Sequence, residues 1–422
     1  MSSGPAGAYR FMRRIHVVGA GVIGLACALR LQQEGHHVVL IDRHGPGEMT
    51  SRGNAASIAW TDVAPMASRG IWRKVPGWLL DPLGPLAVRP SYALKLLPWM
   101  LRFSRASLPD RLKRSVMGKA AINKRALPAW ERLWQASGTG HHVFLKGCLE
   151  VYDSHNHVTH ARKGWKEQRH HGIEVEESNG DQIRELEPDL SASVVGGALV
   201  PGWVTVDEPH ALCVSLATAF EQDGGKILKA SVSRLRSEGE RVVLHLENGE
   251  QILSDHAIVA CGAWSKTLAA QMGDHVPLES ERGYNTTFSD PNVSLEHAVM
   301  LPGLGFAVSQ LSTGLRIGGA VEFGGLMLGA NWKRADAMAS QAARLLPKLN
   351  QENGIRWMGH RPSMPDTLPV IGHSRHSDRV TYAFGHGHHG LTQAAITAEL
   401  VRDLIHDKRP EIDCTLYSAQ RF

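Results

Sequence analysis

RIHVVGAGVIGLACALRLQQEGHHVVLID, running from Arg14 to Asp42, is the stretch whose reading decides the fold. Ile15, Val17 and Val18 predict a short buried strand that stops at Gly19-Ala20-Gly21-Val22-Ile23-Gly24. Leu25, Leu29 and Leu31 continue at helical spacing towards Glu34, and Gly35 ends the helix. Val38 to Ile41 predict a second, parallel strand that finishes on Asp42, about twenty residues after the glycines. Gly19 permits the tight turn, Gly21 lets backbone N–H groups approach a pyrophosphate, and Gly24 lets the helix pack close to the strand. Val22 and Ile23 open that helix, whose N-terminus faces the phosphate charge. Asp42 is where a carboxylate accepts hydrogen bonds from adenosine ribose hydroxyls, which points to NAD or FAD rather than NADP.

Around this unit the chain has the balance of a soluble globular protein: 422 residues, 43% hydrophobic and 21% charged, enough for two domains. The formal net charge of +5 is modest for this length. It suits an anionic substrate or membrane surface, and without a concentrated motif it is no nucleic-acid signature. Five cysteines, far apart, odd in number and without a CxxC, read as reduced thiols of a cytoplasmic protein. No apolar core precedes the first strand, so no secretory leader is expected, and no window offers an uninterrupted apolar run of membrane-spanning length. Histidines 155, 157 and 160, and the pairs 36/37, 141/142, 170/171 and 388/389, lack zinc-type spacing, so no metal is expected.

Past Asp42-Arg43 the segment Thr50-Ser51-Arg52-Gly53-Asn54-Ala55-Ala56-Ser57 crowds small and hydroxyl-bearing residues, as a backbone passing close to a ligand needs. From Trp72 to Arg125 prolines, tryptophans and leucines give way to nine Lys or Arg against the single acid Asp110 between Lys95 and Arg125. That juxtaposition suits either peripheral contact with an anionic bilayer or a core helix with a solvated basic face. Lys119 to Gln135 predicts one helix, Pro209 to Phe220 another, and Glu247-Asn248-Gly249-Glu250 a hairpin turn. Ala257 to Ala260 running into Cys261-Gly262-Ala263-Trp264 repeats the strand-to-glycine turn, so the nucleotide-binding domain draws on distant segments. Residues 276 to 348 read as mainly antiparallel strands, including Leu315 to Gly319 with Gly318, and then a helix from Ala335 to Leu346. Gly359 to Gly372 reads as a proline-pinned loop carrying Arg361. The strand from Val380 to Phe384 enters Gly385-His386-Gly387-His388-His389-Gly390-Leu391-Thr392, which delivers another helix N-terminus.

Taken in order, GAGVIG with IDR, NAAS, ACGAWS, ERGY (Glu281 to Tyr284), RPSMPDTLPVIG and GHGHHGLT resemble the FAD-dependent superfamily of D-amino acid oxidases and glycine or sarcosine oxidases, and within it the bacterial D-amino acid dehydrogenases. The resemblance spans nearly the whole chain. It implies an α/β fold with a Rossmann-like FAD-binding domain assembled from residues 12–90, 145–160, 200–275 and 355–422. A smaller α+β substrate-binding domain with a mainly antiparallel sheet would take residues 91–144, 161–199 and 276–354. By resemblance, Gly19, Gly21, Gly24 and Asp42 hold the pyrophosphate and ribose, Arg43 lies by the adenine, and Val232 meets it through its backbone. Ser51, Asn54 and Ala55 approach the flavin, with Cys261, Gly262, Trp264 and Gly318 counted in the same site. His386, Gly387, His389, Gly390, Leu391 and Thr392 face the flavin pyrimidine edge, where a helix dipole favours the reduced, anionic form. Arg361 would clamp the substrate carboxylate, Tyr284 would line the substrate pocket, and His388 stands where some relatives carry a second arginine. A glycine is expected at Ala56-Ser57.

The activity so implied is oxidative deamination of D-amino acids, by hydride transfer from Cα to the flavin with the amine bound neutral, yielding 2-oxo acids and ammonia or cyclic imines from hydroxy-D-proline-type substrates. Electrons would pass to a quinone-type acceptor at the inner face of the cell membrane. Two other readings stay open: a glycine or sarcosine oxidase using oxygen, and a flavin-binding subunit that oxidises nothing itself.

Overall fold

The computed structural model of the protein describes residues 12–62 and 86–422. Arg14–Val18, Val22–Gln33 and His37–Asp42 form the strand, helix and strand that the opening motif predicts. The first strand lies between two parallel neighbours, with Val17 opposite Leu40 on one side and Ile258 on the other. The full six-stranded sheet runs Lys226–Lys229, His37–Asp42, Arg14–Val18, His256–Val259, Ser377–Phe384 and Val370–Ser374, all parallel except the last. The chain leaves Val18 towards one neighbour and reaches the other only after some 240 residues, so Gly19 sits at a topological switch point, where open α/β sheets bind ligands.

A second, nine-stranded sheet is built mainly from antiparallel pairs around Glu279–Phe288, flanked by Gly314–Phe323 and Ile355–Ser363. Each sheet has its own core. Ile15, Leu25, Leu29 and Leu40 pack with the helix Gly390–Ile405, while Leu149, Phe288, Ile317 and Met338 pack under the second sheet.

Pairing and packing depart from the sequence-drawn segments in several places, Leu86–Val88 among them, since it pairs with residues 321–323 of the second sheet. Cys148–Tyr152 and Ile355–Ser363, assigned with the cofactor domain, are strands of the second sheet. Pro109–Lys124 and Ala126–Ser137, assigned with the substrate domain, place Ile122, Trp130 and Leu133 in the first core, and the Trp130 indole N–H donates to Leu391 O at 2.9 Å. These two helices replace the single helix expected from Lys119 to Gln135; Pro128 cannot donate to the preceding turn, and the helix breaks at Arg125. Arg361 is on a strand and not on a loop, because Pro362 and Ser363 still pair with Ser280 and Glu279. The tryptophan- and proline-rich run across residues 63–85, part of the expected membrane-facing stretch, lies outside the described residues.

Candidate active site

Where the first strand stops, Gly19 turns at φ +112°, and a Cβ there would lie 2.4 Å from Ala260 O. A Cβ on Gly24 would lie 1.8 Å from Gly19 O, so the helix is seated directly on the turn and no side chain fits between them. Gly24 therefore packs behind the site, as its position in the motif requires. Gly21 is the N-cap and its helix has no acidic residue in the first turn; the Val22 N–H donates to Ser51 Oγ at 3.0 Å. Asp42 accepts from the Ala20 and His44 N–H groups, both at 2.7 Å, which fixes the carboxylate at the mouth of the turn.

A cavity of about 530 Å³ runs from this cradle to the second sheet. Gly19, Gly21, Val22, Ile23, Asp42 and Arg43 line its start; Arg43 stacks over Trp264 at 4.5 Å, and Val232, Cys261 and Gly262 complete that wall. Burial pushes the Cys261 thiol up to about 12, so it is protonated, and it donates to Val18 O. Ser51, Asn54, Ala55, Gly318, Gly387, Gly390 and Leu391 line the middle. The Asn54 side chain is spent within its own loop, donating to Ser51 O at 2.8 Å and accepting from Ala56 N–H at 2.7 Å. Ala56, where a glycine was expected, adopts φ +58°, a conformation that favours glycine.

Three residues of the glycine-rich turn look elsewhere. His386 lines the cavity, but its ring bonds to Thr397 Oγ1 at 3.0 Å, and burial holds it neutral down to about 3. His389 faces Asp62 at 3.3 Å and Thr392 accepts from the Ala59 N–H at 3.0 Å; both lie off the cavity and brace the turn, contrary to the expected flavin contact.

At the far end the organising group is one that the motif reading passed over. Glu281 is fully buried, and its Oε1 accepts from Arg361 Nη1 at 3.1 Å and contacts His388 Nε2, while Oε2 accepts from Ser363 Oγ at 2.8 Å. Burial alone pushes this carboxyl up, but His388 and Arg361 outweigh it and hold Glu281 at about 2. Arg361 also donates to Ala320 O at 2.8 Å and Gly319 O at 3.4 Å. Ala320 points its carbonyl there because it sits at φ +57° in a bulge opposite Gly283. Gly283 in turn leaves space for the guanidinium, since a Cβ would lie 2.3 Å from Nη2. Two of the five guanidinium donors, Nε–H and one on Nη2, have no bond among the described residues. Tyr284 lines the cavity, but its hydroxyl is committed, donating to Glu322 Oε2 at 2.5 Å and accepting from Asn331 N–H.

A helix N-terminus free of acidic side chains, a carboxylate held at the mouth of the turn and a long cavity leading to a second sheet fit FAD. The model of the family described as FAD dependent oxidoreductase matches residues 14–404. The chain belongs to this family. Among curated members of the FAD dependent oxidoreductases it is 36% identical over 417 residues to a D-amino-acid oxidase of Bradyrhizobium diazoefficiens, spanning 97% of this chain and 99% of that one. It is 28% identical over 420 residues to a D-amino acid dehydrogenase of Rhizobium rhizogenes, spanning 97% and 100%. The solved structure of glycine oxidase from Geobacillus kaustophilus superposes with a TM-score of 0.73 at 21% identity, covering 97% of this chain and 100% of that one, a likeness of fold. The protein is thus an FAD-dependent oxidoreductase built as a Rossmann-like domain with a second, mainly antiparallel sheet. Among the described residues no helix is long and apolar enough to cross a membrane.

Proposed function

We propose that the protein oxidises D-amino acids to 2-oxo acids and ammonia, or cyclic D-proline-type amines to imines. The observation that carries this reading is Arg361 on the cavity wall, with two donors left over after Glu281, Ala320 and Gly319 have fixed its plane. In this role Arg361 binds the substrate carboxylate in a bidentate fork, and the Tyr284 ring forms an apolar wall beside it. Bound FAD supplies the acceptor for a hydride from Cα. The chain's own contribution is orientation, since effective molarity rises steeply once the reacting atoms are held in line. The helix N-termini at Gly21 and Gly390 would meet the pyrophosphate and the flavin pyrimidine edge, Asp42 the ribose, and Arg43, stacked on Trp264, the adenine end. The two sheets would act as a cofactor domain and a substrate domain.

For the electron acceptor we favour a membrane quinone at the inner face of the cell membrane. Support comes from Ala93–Ala106, whose outer face carries exposed Leu94, Leu97 and Leu101 beside Lys95, Arg102 and Arg105. Direct use of oxygen is the second reading, favoured by the 36% identity to a protein named an oxidase. Anaerobic mixing of the yellow protein with D- and L-amino acids, cis-4-hydroxy-D-proline, glycine and sarcosine should bleach the flavin with D-forms, and Arg361→Ala should remove the response. Bleaching by no amine would overturn the reading. Reoxidation by quinone with little hydrogen peroxide would select the dehydrogenase, and rapid peroxide formation the oxidase.

A further inference from the structure

An amino acid reaches an active site at neutral pH as an ammonium, and an ammonium has no lone pair to support loss of a hydride from the adjacent carbon. Resting on the amine-oxidase reading, the site therefore needs somewhere to put one proton. The carboxylate-binding end of the cavity offers few acceptors. Tyr284 has its hydroxyl committed to Glu322 and Asn331, Arg361 is a cation, and His386 is turned into Thr397.

His388 differs from all of these. His388 lines the cavity with its side chain 37% exposed, and among the described residues only its Nε2 is engaged, against Glu281 Oε1. With Nε2 set against a buried carboxylate, the neutral form of the ring carries its proton on that nitrogen and presents Nδ1 as the acceptor. The same carboxylate oxygen accepts from Arg361 Nη1, so the group that would take the proton and the group that would bind the carboxylate are registered against each other through one atom. We propose that His388 is the base that takes the proton of the substrate ammonium, and that Glu281 is the positioning residue that holds His388 and Arg361 in register. The ammonium N–H bond breaks and an N–H bond forms at His388 Nδ1. The electron pair left on nitrogen then supports departure of the Cα hydride to FAD, leaving an iminium, and the imidazolium returns its proton to water. The titratable and charged groups around His388 are Glu281 from one strand, Arg361 from the next, and His389, kept neutral by burial, with Asp62 and Lys119 behind it.

The test is single-turnover bleaching of FAD-loaded protein by the best D-amino acid between pH 6.5 and 10, wild type against His388→Asn. The variant should be slowed by about 100-fold at pH 7, the scale of a lost general base, and should regain the wild-type rate with unit slope as the free amine becomes the dominant form at high pH. Benzoate affinity, read from the visible flavin spectrum, should change less than threefold in His388→Asn, because Arg361 is intact. Glu281→Gln should lose both the neutral-pH rate and benzoate affinity, and Glu281→Asp should restore part of each. If His388→Asn matches wild type at every pH while benzoate still binds, the base assignment is wrong and the amine-oxidase reading survives. Failure of wild-type protein to bleach with any amine, even at pH 10, would remove both.

Discussion

At the scale of single residues, the two ends of the cavity respond differently to the same change. Gly24→Ala places a methyl 1.8 Å from a backbone oxygen that cannot move without opening the turn. The expected outcome is a loss of about 3 kcal/mol of stability and of retained flavin, read from thermal unfolding and the 450 to 280 nm absorbance ratio. Gly283→Ala instead collides with the guanidinium of Arg361, a side-chain end and not backbone. The fold should persist with little change in melting temperature while KM for the D-amino acid rises about tenfold or more, equivalent to roughly 1.4 kcal/mol. An unchanged KM would show that Arg361 does not hold substrate. Gly24 was legible in the sequence because its tightest partner, Gly19, lies five positions away, within one strand, turn and helix. Glu281 was not legible as the hub, since residues 281, 361 and 388 meet only through strand pairing and a bulge at Ala320. One signal was available: Glu279, Glu281 and Arg282 crowd a strand whose other residues suit a buried position, and carboxylates are buried only when paired.

Among elements, the loop of residues 51–57 is held from the opposite sheet. Arg316, on Gly314–Phe323, donates to Arg52 O at 3.2 Å and Asn54 O at 3.0 Å, and its Nη2 meets the buried Glu208 at 3.1 Å. Arg316→Met should cost about 3–5 kcal/mol by stranding Glu208 without its cation, and weaken FAD retention in parallel. Adding Glu208→Gln should recover a large part of the stability without recovering the flavin, because the loop carbonyls still lack their donor. If the double variant retains FAD like wild type, the arginine does not order the loop. The elements themselves were largely readable: strand, helix and strand at the start, the helix at Pro209–Gln222, and the hairpin after Leu246 all stand where spacing predicts them. The exceptions have one local and one long-range cause, Pro128 dividing one helix and pairing with Glu279–Phe288 extending a strand through Pro362.

Over the whole molecule, acid should unfold the protein early. Burial, the leading cause in each case, holds His16, His360 and His389 at about 4 and His386 at about 3. The unfolded chain takes up these protons near pH 6.5, so between there and pH 4 it binds more protons than the folded state, and stability falls as pH falls. Glu281, held at about 2, adds loss at the lower end of the range, below its unfolded value. One such histidine shift is worth roughly 3 kcal/mol. Melting temperature should therefore decline steadily from pH 6.5 to 4 and be flat from 6.5 to 7.5; a flat profile down to pH 5 would contradict the buried, neutral state of these rings. The broad division into two sheets was legible from motif order, whereas the membership of Cys148–Tyr152 and of the helices around Trp130 depended on long-range pairing that no local pattern encodes. That same long-range pairing has a consequence during synthesis. Arg14–Val18 leaves the ribosome with one flank ready to pair with His37–Asp42, but its other neighbour, His256–Val259, follows about 240 residues later, and Ser377–Phe384 later still. At roughly 5–20 residues per second the nascent apolar edge waits on the order of ten to fifty seconds for its partner. The cradle for FAD thus closes only near the end of translation, and chains released early would carry an open sheet edge for chaperones or proteases to find.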